Sequence, residues 1–209
     1  MNLDSAPERA DVAAILEPLD VGLEPALASL HARLVREAQT THVLDIAYRV
    51  VDSPVGKLLL AATENGIIRV AFELENHQAV LERLASSVSP NILHAPSQLE
   101  AAAQQLSEYF KGSRTSFHLP LDFSLSRGFR LNVLHHLPDI AYGTTESYAE
   151  VALAAGSPNA VRAVGTACAT NPLPVIVPCH RVVRSDGSYG GYLGGTEAKR
   201  TLLTLEAAA

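Results

Sequence analysis

The sequence predicts a two-domain α/β (α+β) protein, with an antiparallel-sheet domain followed by a largely helical one. Three observations carry this. Residues 44–73 contain three β-rich runs separated by Pro/Gly turns, the last third reads as short helices, and Gly156-Ser157-Pro158 joins two of those helices tightly. With 209 residues, 47% of them hydrophobic, the chain is long enough to bury a core for one or two domains.

Residues 1–42 are expected to form a helical extension. From Leu23 to Ala38 apolar residues recur at helical spacing, with Leu23, Leu27, Leu30 and Leu34 as the expected packing face. Residues 43–122 are expected to form the α/β domain. LDIAYRVV, KLLLAAT and IIRVAFE, divided by DSPVG and ENG, predict an antiparallel meander. Helical pattern follows over Asn76–Val88 and again from Ser97, where Ser97 and Glu100 make an S-x-x-E capping box ahead of AAAQQLSEYF and Gly112 stops the helix. Asp45, Asp52, Glu64 and Glu73 read as solvated strand ends and turns, and Leu121–Arg127 as the connection. Residues 123–209 form the expected second domain, with helices over Ser126–Leu137, Ser147–Ala155 and Asn159–Thr170 and a last one from Thr196. Ser157 is the expected N-cap and Pro158 the expected first helical residue of the third of these, which makes a helix-turn-helix unit.

Composition narrows the function. Two cysteines without a C-x-x-C pair exclude a disulfide scaffold and the usual thiol-rich zinc sites, and imply a reducing compartment. The N-terminus lacks a signal peptide's basic flank and apolar run, and no apolar stretch reaches bilayer length, so the protein is expected to be cytoplasmic, with no membrane partner. The net charge of −6 is uneven. Residues 1–123 hold 9 Lys+Arg against 16 Asp+Glu, a net −7, whereas residues 124–209 hold 7 against 6, a net +1. Between Val151 and Ser185 there are three arginines and no acid, a local surface suited to phosphates.

Two segments concentrate the chemistry. On Asn159–Thr170, Val161, Val164 and Cys168 form the expected buried stripe, and Arg162, Gly165, Thr166 and Ala169 line the other side. Small residues around one long cation admit two readings: close approach to a nucleic-acid groove, or close packing on the protein itself with a solvated Arg. The second segment is Asn171–Gly195, where three prolines lead to Cys179-His180-Arg181. A thiol becomes a nucleophile once ionised, and His180 and Arg181 are candidates to assist. Neighbours on an extended strand point to opposite faces, so contact between thiol and imidazole requires a turn or a bridging water. An inert buried Cys beside a satisfied His is the alternative. Cys168, on the apolar stripe, is expected to be inert.

PCHRVV at 178–183, preceded by NAVRAVGTACATNPLPVIV and followed by a Gly-rich stretch, resembles the O6-alkylguanine-DNA alkyltransferase family, the methylated-DNA:protein-cysteine methyltransferases. The likeness spans about residues 43–207 and is densest from Tyr142 to Glu206. It implies an RNase H-like N-terminal domain and a winged-helix-like second domain that repairs duplex DNA carrying O6-alkylguanine, extending to O4-alkylthymine, by flipping the base from the minor-groove side. Cys179 would accept the alkyl group in an SN2 step, once per chain. His180 would relay the thiol proton through a water, and Glu206 would hold the imidazole. Asn171 would stabilise the turn presenting the cysteine. Tyr148 would contact the flipped nucleotide's phosphate and donate to guanine N3. Arg162 would fill the vacated stack, with Ala163, Gly165, Thr166 and Ala169 close to the groove. Tyr192, Val182, Val183, Leu193 and Gly194 would line the base pocket; Leu193 stands where several members carry a small residue such as Ser, which leaves the O6 contact to backbone amides. The family's N-terminal zinc ligands and zinc-bearing sensor domain have no counterpart in the sequence, so no metal or cofactor is expected, and the protein is expected to be a monomer able to act cooperatively on DNA. Rival readings are a non-catalytic binder of alkylated DNA, set against the presence of Cys179, and a cysteine hydrolase.

Overall fold

Alternating and continuous apolar runs fold as three strands, β1 (Ile46–Val51), β2 (Leu58–Thr63) and β3 (Gly66–Phe72), paired antiparallel in sequence order. The computed structural model describes residues 23–41 and 43–207, and its contacts divide the chain into two units, residues 1–43 and 44–209.

In the first unit α1 (Leu23–Thr40) is helical as expected, but its leucines do not form a buried face. Leu27, Leu30 and Leu34 are 56%, 59% and 52% exposed, while the Leu23 side chain lies outside the described residues. Local bonds finish the helix: the Thr40 and Thr41 hydroxyls donate to the Glu37 carbonyl.

In the second unit the meander gains a fourth strand absent from the sequence reading. β4 (Ile92–His94) pairs parallel to β1, so the sheet runs β3-β2-β1-β4 and is mixed. Three residues after a Pro-Asn turn are too few to show a period of two. α2 (His77–Ser87), which connects β3 to β4, is capped by the Asn76 carboxamide oxygen accepting from the Ala79 amide. Its Val80 and Leu84 pack on Ile46, Leu59, Ala61, Ile68 and Ala71. Leu58 and Leu60, facing the other way, are fully buried too, which explains why β2 reads as a continuous apolar run.

α3 (Glu100–Phe110) begins later than the capping box predicts. Ser97 lies in a short 3-10 turn, and the Glu100 carboxylate bonds Arg49 at 2.7 Å instead of closing a box. The last third follows the expected order with shifted ends. α4 (Phe129–His136) starts after Gly128 rather than at Ser126, and α5 (Tyr148–Ala154) is capped by a true box of Ser147 and Glu150. α6 (Val161–Ala169) has Ala160 as its N-cap: Ser157 and Pro158 form a separate turn closed by the Ala160 amide on the Ser157 carbonyl. At Gly156, φ is +80°, and the amides of Gly156 and Ser157 return to Leu153 and Ala152, the left-handed stop that lets α5 turn into α6. β5 (Glu146–Ser147) pairs parallel with β6 (Val182–Val183), and α7 (Gly195–Ala207) closes the fold.

The free edge of β3 is covered by the rest of this unit. Ile67 pairs with residues 120–122, and the Val70 amide donates to the Pro172 carbonyl at 2.8 Å. Arg69 donates to the Asn171 carbonyl at 3.2 Å and pairs with Glu75. The sheet thereby fixes the segment that leads to the cysteine.

Candidate active site

Asn171 organises its own loop. Its side-chain oxygen accepts from the Leu173 amide at 2.9 Å, and its Nδ2 donates to the Val177 carbonyl at 2.9 Å and to Cys179 Sγ at 3.1 Å. Within this loop Val175 has φ +72°, a left-handed conformation that a β-branched residue adopts only under constraint. Cys179-His180-Arg181 then form a single 3-10 turn rather than extended backbone, with Sγ bonded to Asn171 and not to the imidazole. Cys179 is only 2% exposed, and Asn171 and His180 are fully buried.

Around Glu206 every acceptor direction is used. Oε1 accepts from Tyr109 Oη at 2.7 Å and Arg181 NH2 at 3.0 Å and lies 2.8 Å from His180 Nε2; Oε2 accepts from Arg181 Nε at 2.9 Å and the Gly143 amide at 3.3 Å. Burial alone raises a carboxyl pKa, but here the bonds from His180, Arg181 and Tyr109 outweigh it and bring Glu206 down to about 2. The carboxylate is therefore ionised, so His180 Nε2 carries the hydrogen that bonds it. That leaves Nδ1 with its lone pair, and this atom is buried with no hydrogen-bond partner among the described residues. Burial lowers the His180 pKa more than Glu206 restores it, so the imidazole is neutral at pH 7.

Burial pushes the Cys179 thiol up to about 11, opposed by the Asn171 bond and by the positive charge of Lys199. The resting sulfur is thus a thiol with a neutral base beside it in sequence. Lys199 is itself fully buried, held by the carbonyls of Val182 (2.6 Å) and Tyr189. Burial raises Cys168 well above the ordinary thiol range, consistent with an inert residue.

Of the residues expected from sequence, Cys179, His180, Asn171 and Glu206 form this cluster. Tyr192 stands over it, edge-on to His180 (centroids 6.3 Å apart) and to Phe72 (5.6 Å). Gly194 lies beneath Phe72, where a Cβ would sit 2.7 Å from the ring, and Val182 and Val183 are buried in β6. Half-buried Tyr148 places its hydroxyl against Gly190. Leu193 instead lines a cleft with Arg69, Thr170 and Pro172. On α6 the buried stripe is Val164, Ala167 and Cys168; Val161 is exposed at the helix start because the helix begins two residues later than expected. Arg162, Ala163, Thr166 and Ala169 are exposed and Gly165 partly so.

Sequence reasoning missed Tyr109 and Lys199 and gave Arg181 the wrong partner: its guanidinium clamps Glu206 and the Ile140 carbonyl rather than the thiol. Tyr109 lies 97 positions from Glu206 and Lys199 sits in a charged helical run, so neither carried a local signal.

Residues 46–123 match the family described as 6-O-methylguanine DNA methyltransferase, ribonuclease-like domain, and residues 128–208 its DNA binding domain. A methylated-DNA–protein-cysteine methyltransferase of Mycolicibacterium paratuberculosis is 40% identical over 77% of this chain and 92% of its own length. The constitutive Bacillus subtilis protein of that name is 39% identical over 76% of this chain and 94% of its own. The crystal structure of Mycobacterium tuberculosis OGT in complex with DNA superposes with a TM-score of 0.68 and 38% identity, covering 78% of this chain and 93% of that one.

Proposed function

The chain belongs to the 6-O-methylguanine DNA methyltransferase family, and from that premise we propose that Cys179 accepts an alkyl group from O6 of an alkylated guanine, and from O4 of an alkylated thymine, in duplex DNA, once per chain. The observation that carries the reading is the cluster of Glu206, His180 and Cys179. An ionised carboxylate fixes Nε2–H, and Nδ1 is left as the base. Nδ1 takes the thiol proton, by way of a water, as the sulfur attacks the alkyl carbon. The S–C bond forms while the C–O6 bond breaks, and its electron pair passes into the guanine ring. Tyr148 donates a hydrogen bond to N3 as this charge develops, and the proton first taken by Nδ1 is then passed to guanine, which gains that one proton in place of the alkyl group. The products are a thioether and unmodified guanine, and the step balances without a cofactor.

Burial of Cys179 requires the nucleotide to leave the duplex, because a stacked base cannot reach a sulfur that is 2% exposed. Arg162, exposed on α6 among small residues, takes the vacated place in the stack from the minor-groove side, and Tyr192, Val182, Val183 and Gly194 line the pocket. We place residues 43–122 and 123–209 as the two working domains, and the protein as a cytoplasmic monomer, in keeping with its two free cysteines. Among the described residues no helix is long and apolar enough to cross a membrane.

The test is incubation with a duplex holding one O6-methylguanine, followed by intact and peptide mass measurement. One added methyl on Cys179 is expected, with none for Cys179→Ser and normal transfer for Cys168→Ser; label on Cys168 overturns the assignment.

A further inference from the structure

Beside the C-terminal end of α6 lies an open cleft of about 450 Å³ whose charge is not balanced among the described residues. Arg69, Arg83 and Arg130 line it, and Glu75 is the one carboxylate that does. Arg69 pairs with Glu75, which leaves two guanidinium charges over. Arg130 spends its donors on neutral acceptors, the Leu125 carbonyl at 3.2 Å and Thr170 Oγ1 at 3.3 Å. Arg83 is exposed and has no carboxylate partner among the described residues. Burial holds Arg69 below its ordinary pKa against the pull of Glu75, and the like charge of Arg83 acts in the same direction as burial.

A cleft with surplus positive charge is suited to an anion. The cleft's own wall says which one. Ala169 and Thr170, exposed at the end of α6, form that wall, so a polyanion lying along α6 carries its backbone to the cleft mouth. A helix C-terminus by itself disfavours an anion, and the surplus arginines reverse that preference.

We propose that this cleft is a subsite for one backbone phosphate of the DNA strand passing the C-terminal end of α6, outside the nucleotide under repair. The inference rests on the reading that α6 faces DNA. It adds α2, an element of the sheet domain, to the binding surface through Arg83. The contact is electrostatic and carries no sequence information, so it contributes to affinity and register and leaves the chemistry untouched.

The experiment uses the full chain and an unmodified duplex, with affinity measured across a range of salt. Arg83→Ala and Arg83→Gln should each reduce the salt slope by about 0.9, so that the wild-type advantage shrinks about threefold when salt rises about fourfold; Arg83→Lys should keep most of the slope. Transfer from O6-methylguanine at saturating duplex should be unchanged, because Arg83 touches none of the reacting groups. Equal slopes for wild type and both neutral variants overturn the proposal, as does a loss of rate at saturation. Inorganic phosphate at constant ionic strength supplies the second arm. If it raises the melting temperature of wild type but not of Arg83→Ala while the DNA slopes stay equal, the cleft is a site for small anions and the DNA assignment is wrong. Failure of the functional reading would show separately, as wild-type protein that leaves Cys179 unmethylated.

Discussion

At neutral pH Glu206 is ionised because its hydrogen-bond partners outweigh burial, and His180 is neutral because burial outweighs Glu206. Stability should depend on pH accordingly. Each group binds its proton more weakly folded than unfolded, so the unfolded chain gains protons first as the solution is acidified. For His180 the loss of stability begins as pH falls through its ordinary value of 6.5, and for Glu206 as pH falls through 4.5 and onward to about 2. The melting temperature should thus decline in two stages below neutrality, and His180→Gln should lack the first stage; a melting temperature that rises between pH 7 and 5 would contradict the assignment. At Arg162 the expected effect is on unstacking. Arg162→Ala should slow single-turnover repair at saturating duplex about tenfold or more, since unstacking costs a few kcal/mol, while sparing reaction with the free alkylated base. Equal losses on both substrates would point to a damaged pocket instead.

Among the elements, the loop from Asn171 to Cys179 carries the heaviest constraint. Asn171→Ala removes three hydrogen bonds and leaves the Leu173 amide and the Val177 carbonyl without their side-chain partner, in a segment that also holds Val175 at positive φ. The Val177 carbonyl keeps the Cys179 amide at 2.8 Å, so the Leu173 amide is the one stranded buried group, and a loss of about 1–3 kcal/mol in chemical denaturation is expected, with slower transfer. The sequence made some elements legible and concealed others for identifiable reasons. Ser147 and Glu150 form the box that S-x-x-E implies, whereas the same spacing at Ser97 and Glu100 fails because Arg49, on a neighbouring strand, takes the carboxylate. Ser157-Pro158 looks like a helix start, yet the chain spends those residues finishing the turn after α5. Cys179, His180, Asn171 and Glu206 were readable through a specific motif. Tyr109 and Lys199 were not, since a buried polar residue looks like a surface one until the fold shows what surrounds it.

Across the whole molecule, the sheet domain contributes bonds to the cluster around Cys179 rather than merely covering it. Tyr109 of α3 holds the carboxylate that orients His180, and Arg69 of β3 holds the Asn171 carbonyl. These contacts close very long stretches of chain, 97 residues from Tyr109 to Glu206 and 102 from Arg69 to Asn171. Such closures must meet their entropic cost before any contact rewards them, so they are expected to form after the folding barrier has been crossed. Tyr109→Phe should then leave the refolding limb of a chevron plot unmoved and steepen escape from the native state, giving a φ-value near zero; a φ-value near one would place the closure in the folding nucleus. A chain that has not yet made these closures can bring Glu206 to His180 across 26 residues, but without the Tyr109 hydroxyl that fixes the carboxylate and without the Arg69 bond that fixes the cysteine loop. If the φ-value is near zero, the one irreversible reaction of each chain is expected to come within reach only late in folding, when little of it can be wasted on a half-folded molecule.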